Sequence, residues 1–167
     1  MALVKDFSLQ LPDEQETDRL GRCLAQALRS IPDAIRDSGF NIRLDGTLGA
    51  GKTTTTRAML RALGVTGRVK SPTFTLVESY DTEAGPVHHF DFYRFETPEE
   101  FDDAGFRELF GAGKITVCEW SEKALPFLPD ADLVVKLELE GDGRRAFFEP
   151  ETEAGKNAVT EVFKAWN

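Results

Sequence analysis

The run Gly46-Thr47-Leu48-Gly49-Ala50-Gly51-Lys52-Thr53 has the spacing G-x-x-x-x-G-K-[ST], in which each fixed position has a chemical task. The glycines allow main-chain N–H groups to turn inward and wrap a chain of phosphates. Lys52 supplies a mobile point charge for the terminal phosphates. Thr53 offers a hydroxyl to the Mg²⁺ that travels with a nucleoside triphosphate. The cradle spans Gly46, Leu48, Gly49, Ala50, Gly51, Lys52, Thr53 and Thr54. The bland alternative is a glycine-rich turn without a ligand, and the flanking residues argue against it.

Triphosphate hydrolysis also needs a carboxylate that holds Mg²⁺ or orients the attacking water. Two candidates follow apolar runs. Glu119 ends Ile115-Thr116-Val117-Cys118, and Asp91 ends Val87-His88-His89-Phe90. The carboxyl ends of parallel strands are where open α/β sheets bind ligands. Thr53 and Glu119 are therefore the expected metal ligands, and Lys52, Asp91 and Glu119 the expected catalytic set. Ser71-Pro72-Thr73-Phe74-Thr75 carries three hydroxyls on a proline-stiffened segment, where nucleotide switches sense the γ-phosphate. Thr73 and Thr75 are candidates to touch the phosphate or Mg²⁺, although threonine also simply suits a strand.

Other residues carry weaker signals. His88 and His89 are adjacent, so on a strand they point to opposite faces and cannot chelate together; one packed and one solvated histidine is the plain expectation. Trp120 follows Glu119 and either walls the metal site or packs in the core. Arg57, Arg61 and Arg94 are candidate phosphate neutralisers, a role most surface arginines do not have. No N-K-x-D follows, so guanine selection by that route is unsupported. Asp102-Asp103-Ala104-Gly105 matches D-x-x-G only formally, because it lies in a helical region.

Positioning these groups requires particular elements. Phe40, Ile42 and Leu44 alternate ahead of the loop as a strand does, although Asn41, Arg43 and Asp45 suggest one polar face. Lys52 to Leu63 lacks Gly and Pro and stops at Gly64, which predicts a helix whose N-terminus adds partial positive charge at the phosphates. Before this unit, Phe7, Leu9 and Leu11 predict a strand. A helix follows from Pro12-Asp13, apolar at Leu20, Cys23, Leu24, Ala27, Leu28 and Ile31, with Pro32 ending or kinking it. After it, Thr73–Tyr80 and Val87–Tyr93 read as an antiparallel hairpin. Thr97-Pro98-Glu99-Glu100 reads as a helix start capped by threonine, and Ser121 as the cap of a short helix. Leu133–Glu140 and Ala146–Glu149 flank a turn at Gly141-Asp142-Gly143. Val159, Val162, Phe163 and Trp166 form one stripe of a last helix over Glu151–Asn167. Together these predict a single α/β domain over residues 1–167, P-loop NTPase-like, with a mixed β-sheet flanked by helices.

Composition narrows the partners. The 167 residues suffice for one real core, and 41% hydrophobic with 29% charged residues is ordinary for a globular chain. A net charge of −9 opposes a large nucleic-acid surface of its own, so any RNA is held by a partner, and DNA is not expected. Cys23 and Cys118 have no metal spacing and fit reduced thiols in a cytosolic protein. No apolar run reaches membrane-span length, and Met1 to Gln10 does not resemble a signal peptide.

Four ordered motifs carry a resemblance to one family. They are Leu44 to Thr54, then Lys70-Ser71-Pro72-Thr73-Phe74-Thr75-Leu76-Val77-Glu78, then His89-Phe90-Asp91-Phe92-Tyr93-Arg94, then Glu119-Trp120-Ser121-Glu122. The chain resembles the bacterial TsaE (YjeE) family along nearly its whole length. That resemblance implies an ATPase binding ATP, ADP and Mg²⁺, needed for threonylcarbamoyladenosine modification of tRNA. It implies action with a TsaD–TsaB complex, tRNA being reached through that complex. By motif position Thr53 and Glu119 would hold Mg²⁺, Asp91 would be the second acidic residue for hydrolysis, and Ser71–Thr75 the switch-like segment. Trp120 would wall the site, and Glu14 and Thr17 would contact the nucleotide base. Thr47 stands where the family usually has Asp, which leaves the backbone cradle intact. Two other functions remain compatible with the residues: a small-molecule or nucleoside kinase, against which the missing arginine-rich lid argues, and a nucleotide switch that barely hydrolyses.

Overall fold

The alternating and helical periodicities resolve into one seven-stranded sheet with helices on its faces. The computed structural model describes residues 7–167. Met1 to Asp6, which entered the signal-peptide reading, lie outside the described residues. The strands are β1 (Ser8–Leu11), β2 (Phe40–Asp45), β3 (Val77–Thr82), β4 (Gly85–Asp91), β5 (Ile115–Glu119), β6 (Leu133–Glu140) and β7 (Gly143–Pro150). Their order is β1-β7-β6-β2-β5-β4-β3. The central β6-β2-β5-β4 is parallel, and β7, β1 and β3 extend it antiparallel. This is the mixed sheet expected from the sequence.

Five helices flank it: α1 (Glu14–Arg29), α2 (Pro32–Ser38), α3 (Lys52–Ala62), α4 (Glu99–Asp103) and α5 (Glu153–Trp166). The Asp13 side chain caps α1 by accepting from the Glu16 N–H at 3.0 Å. The apolar stripes of α1, α3 and α5 (Leu20, Leu24, Leu28, Met59, Leu60, Val159, Val162) share a core with Ile42, Leu44 and Val117 of the sheet. The other face is covered by an aromatic cluster of Phe90, Phe92, Phe101, Phe106 and Phe110 around Cys118. Strand alternation sorts the two sides, since Val117 and its neighbour Cys118 belong to different clusters.

Helix α1 lies unusually close to α3, and Gly21 is the reason. A Cβ added there would stand 2.5 Å from the Ala58 Cβ and 2.6 Å from the Thr55 carbonyl oxygen. Alanine would gain about 1 kcal/mol of helix propensity. The clash is with backbone, which cannot swing aside, and such overpacking costs about 1–3 kcal/mol. Gly21→Ala should therefore lower the thermal midpoint by several degrees, measured by circular dichroism. An unchanged or raised midpoint would show that the helices can separate freely.

Several boundaries differ from the sequence expectation. The polar face expected of β2 is partly covered, Asn41 being buried and Arg43 and Asp45 half-buried: the Asn41 side-chain amide donates to the carbonyls of Pro129 and Asp130 at 3.2 and 3.1 Å and accepts from Thr116 at 3.0 Å. Arg43 donates to the Pro129 carbonyl at 2.9 Å. The segment before β6 thus supplies most of the partners that burial demands, although the Arg43 Nε has none among the described residues. The strand expected from Thr73 begins only at Val77. Pro72 to Leu76 closes instead into a turn, with the Leu76 N–H donating to the Pro72 carbonyl at 2.8 Å and Leu76 at φ 71°. Pro32 neither ends nor kinks α1, which stops at Arg29; it opens α2, as its fixed φ suits a first helical position. Thr97 is not a cap; the Glu100 carboxylate accepts from the N–H groups of Glu96 and Thr97 at 2.6 and 3.0 Å. Ser121 is the first residue of a 3-10 turn (Ser121–Ala124), and Trp120 holds the cap position. Cys23 and Cys118 are free and buried, and burial pushes both thiols above their ordinary pKa. No helix among the described residues is long and apolar enough to cross a membrane.

Candidate functional site

Register brings the two carboxylates together. Asp91 of β4 is opposite Glu119 of β5, and Leu44 of β2 is opposite Glu119 on its other side. Opposed residues point to the same face, so both carboxylates lie beside the P-loop that leaves β2. Glu119 is 2% exposed and Asp91 5%.

The Thr53 hydroxyl stands 3.3 and 3.2 Å from the Glu119 Oε1 and Oε2. The second Glu119 contact is His89, whose Nε2 is 2.5 Å from Oε2. Asp91 accepts from the Tyr93 N–H at 2.9 Å and, at 3.4 Å, from the Thr73 hydroxyl. Burial above all raises the Asp91 carboxyl above its usual pKa; the Glu119 charge adds to this, while the Tyr93 N–H, His89 and Thr73 oppose it.

Lys52 starts α3, and its Nζ donates to the carbonyls of Gly46 and, at 3.2 Å, Thr47. It lies 4.3 Å from the centroid of Trp120. Burial depresses its pKa, and the Glu119 and Asp91 charges work against that. No carboxylate among the described residues lies within ion-pair distance of it. It is thus a buried ammonium held by carbonyls and facing a cavity. The first amides of α3 likewise have no acceptor within the helix. Gly51, at φ 100°, joins loop to helix in a conformation that disfavours side chains. A Cβ there would stand 3.3 Å from the Thr17 Cγ2 and 3.4 Å from Arg144.

These groups line one cavity of about 380 Å³. Of the residues singled out in the sequence, it gathers Leu48, Gly49, Ala50, Gly51, Lys52, Thr53 and Thr54 with Thr73, Asp91, Glu119 and Trp120, and α1 brings Glu14 and Thr17. Gly46 sits behind the loop, giving its carbonyl to Lys52, and does not line the cavity. Thr75 is exposed and outside it, because the turn after Pro72 faces Thr73 inward and releases Thr75 to solvent. Arg94 stacks on Phe74, 4.1 Å from the ring, and Arg57 and Arg61 line a separate groove with Arg22; none lines the cavity.

Two lining or supporting residues were not anticipated. Arg144 of β7 donates to the Gly49 carbonyl at 2.7 Å, and nothing in the local sequence marks it. His89 had a legible signal, since the two-residue period places it on the face of Asp91.

The residues present suit a phosphate chain with Mg²⁺. No group of three or more His, Cys, Asp or Glu among the described residues forms a metal centre. Mg²⁺ instead uses one or two protein oxygens and completes its shell with water and phosphate. Neighbouring ligands of an octahedral ion at 2.0–2.1 Å stand about 3 Å apart, close to the Thr53–Glu119 separation.

A P-loop between a buried parallel strand and a helix, inside a mixed sheet flanked by helices, defines a P-loop NTPase-like fold. The chain belongs to the TsaE family: residues 11–147 match the family described as threonylcarbamoyl adenosine biosynthesis protein TsaE. It is 40% identical over 157 residues to the tRNA threonylcarbamoyladenosine biosynthesis protein TsaE of Haemophilus influenzae, covering 94% of this chain and 98% of that one. It is 36% identical over 147 residues to the protein of the same name from Aquifex aeolicus, covering 87% and 95%. The crystal structure of Bacillus subtilis YdiB superposes with a TM-score of 0.71 over 96% of this chain and 95% of that one, at 24% identity, and shares the fold.

The placement of the two threonines yields a comparison. Thr73→Ala removes one hydroxyl contact to Asp91, worth about 1 kcal/mol, or about fivefold in rate. Thr75→Ala should leave the rate unchanged. Phosphate release measured on both variants checks this; an equal loss in both would show that the turn acts as a whole and not through Thr73.

Proposed function

We propose that the chain is a Mg²⁺-dependent ATPase serving threonylcarbamoyladenosine modification of tRNA, weak alone and active with a complex of TsaD and TsaB homologues. The observation that carries this reading is the convergence of Lys52, Thr53, Asp91 and Glu119 in one cavity, in a chain of this family. ATP and its product ADP would rest their phosphates on the amides of residues 49–54, with Lys52 neutralising the terminal charge. Glu14 and Thr17 of α1 also line the cavity and would contact the base. Thr53 and Glu119 would hold Mg²⁺, which when bound neutralises phosphate oxygens.

Asp91 accepts hydrogen bonds on both oxygens and has a raised pKa, so it suits orienting the attacking water and taking up its proton. Trp120 shields Lys52 from solvent, which strengthens its field at the phosphates. The net charge of −9 suits a subunit that reaches tRNA through its complex, and the cytoplasm is the compartment proposed.

The test is size-exclusion chromatography with TsaD and TsaB homologues, with and without ATP and Mg²⁺, alongside phosphate release. Nucleotide-dependent co-elution with release of free phosphate is expected. No association under any condition, with label moving from γ-labelled ATP to a small acceptor, would favour a kinase instead.

A further inference from the structure

We infer that His89 is a positioning residue that fixes the Glu119 carboxylate for its cation; this rests on the reading of Glu119 as a Mg²⁺ ligand. Three observations converge. His89 is fully buried on β4, on the same face as Asp91 and opposite Val117, one pair short of the Asp91–Glu119 row. Its Nε2 stands 2.5 Å from the Glu119 Oε2. Its Nδ1 is buried and has no hydrogen-bond partner among the described residues.

Together these assign the ring's proton. A proton on Nδ1 would leave a buried N–H without an acceptor and turn the Nε2 lone pair against a carboxylate lone pair. Both cost more than a bare Nδ1. Nε2–H therefore donates to Oε2.

The consequence is directional. Glu119 is held at Oε2 by a donor on a rigid strand, which fixes the carboxylate where both its oxygens, at 3.3 and 3.2 Å, face the Thr53 hydroxyl. A single imidazole N–H on a buried strand orients the carboxylate through one directional bond. Groups that hydrogen-bond a metal-ligating carboxylate typically contribute about tenfold to a hundredfold in metal affinity.

The test is calorimetric titration of a non-hydrolysable ATP analogue into the full chain, in EDTA and in saturating Mg²⁺. It compares wild type, His89→Leu and His89→Gln, with folding checked by circular dichroism. Glutamine is the conservative variant, because its amide N–H reaches near the position of the imidazole Nε2.

The expected result is that His89→Leu loses about tenfold or more of the Mg²⁺-dependent gain in affinity, with binding in EDTA unchanged, and that His89→Gln retains the gain. A folded His89→Leu with the wild-type gain overturns the inference and leaves the ATPase reading standing. So does a folded His89→Gln that loses the gain as His89→Leu does. Should His89→Leu not fold, retention of the gain by His89→Gln supports the inference and its loss refutes it. A wild-type protein that gains nothing from Mg²⁺ overturns both readings together.

Discussion

Lys52→Ala should lower kcat/KM for MgATP hydrolysis by about a hundredfold to a thousandfold, the usual cost of removing one preorganised charge stabiliser. The side chain is 5% exposed, and its charge is satisfied by the Gly46 and Thr47 carbonyls and the Trp120 face. Burial disfavours this ammonium in the folded chain, so removing it should not lower the midpoint of nucleotide-free protein. Nucleotide should separate the two proteins. A ligand at about a hundred times its Kd stabilises a fold by about 2.7 kcal/mol, which wild type should show as a rise in Tm with MgATP and the variant should lack. Thermal shift and phosphate release on the same preparations check both parts. A variant with wild-type turnover would remove the P-loop lysine from the mechanism.

Glu119→Gln is the second large effect. Glutamine keeps the shape and an acceptor oxygen for His89, whereas alanine would leave a buried N–H unsatisfied at about 1–3 kcal/mol and confuse stability with chemistry. Turnover in the reconstituted complex should fall about a hundredfold or more, while nucleotide binding in EDTA persists. Removing the Glu119 charge should also relax Asp91 toward its usual pKa, but only in part, because burial is the larger cause of its displacement. Glu119 and Asp91 are register partners, so the double variant with Asp91→Asn should lose less than the product of the single losses. Wild-type turnover of Glu119→Gln would overturn the metal assignment.

The legibility of the site follows the range of the forces that build it. The P-loop was readable because its chemistry is local: consecutive amides, a glycine at positive φ and a helix start lie within one short run. Glu119 and Asp91 were readable as strand ends, but their adjacency was not, since it depends on β4 pairing with β5 in one register. Of the adjacent histidines His89 is the packed one, on the face of Asp91 as the two-residue period requires, but its bond to Glu119 was not readable because it depends on the β4–β5 register. Arg144 was invisible because β7 reaches the loop only through the β6–β7 hairpin. Thr75 was grouped with Thr73 in one switch-like segment, but the turn headed by Pro72 leaves only Thr73 lining the cavity.

The sequence by itself determined the P-loop run and that the chain belongs beside TsaE proteins, because both are written in adjacent residues and ordered motifs. Only the tertiary structure decided which groups surround that cradle. The close packing of α1 on α3 at Gly21, the carboxylate pair and the donor behind Glu119 all arise from contacts between distant segments, whose register is set by burying the sheet on both faces.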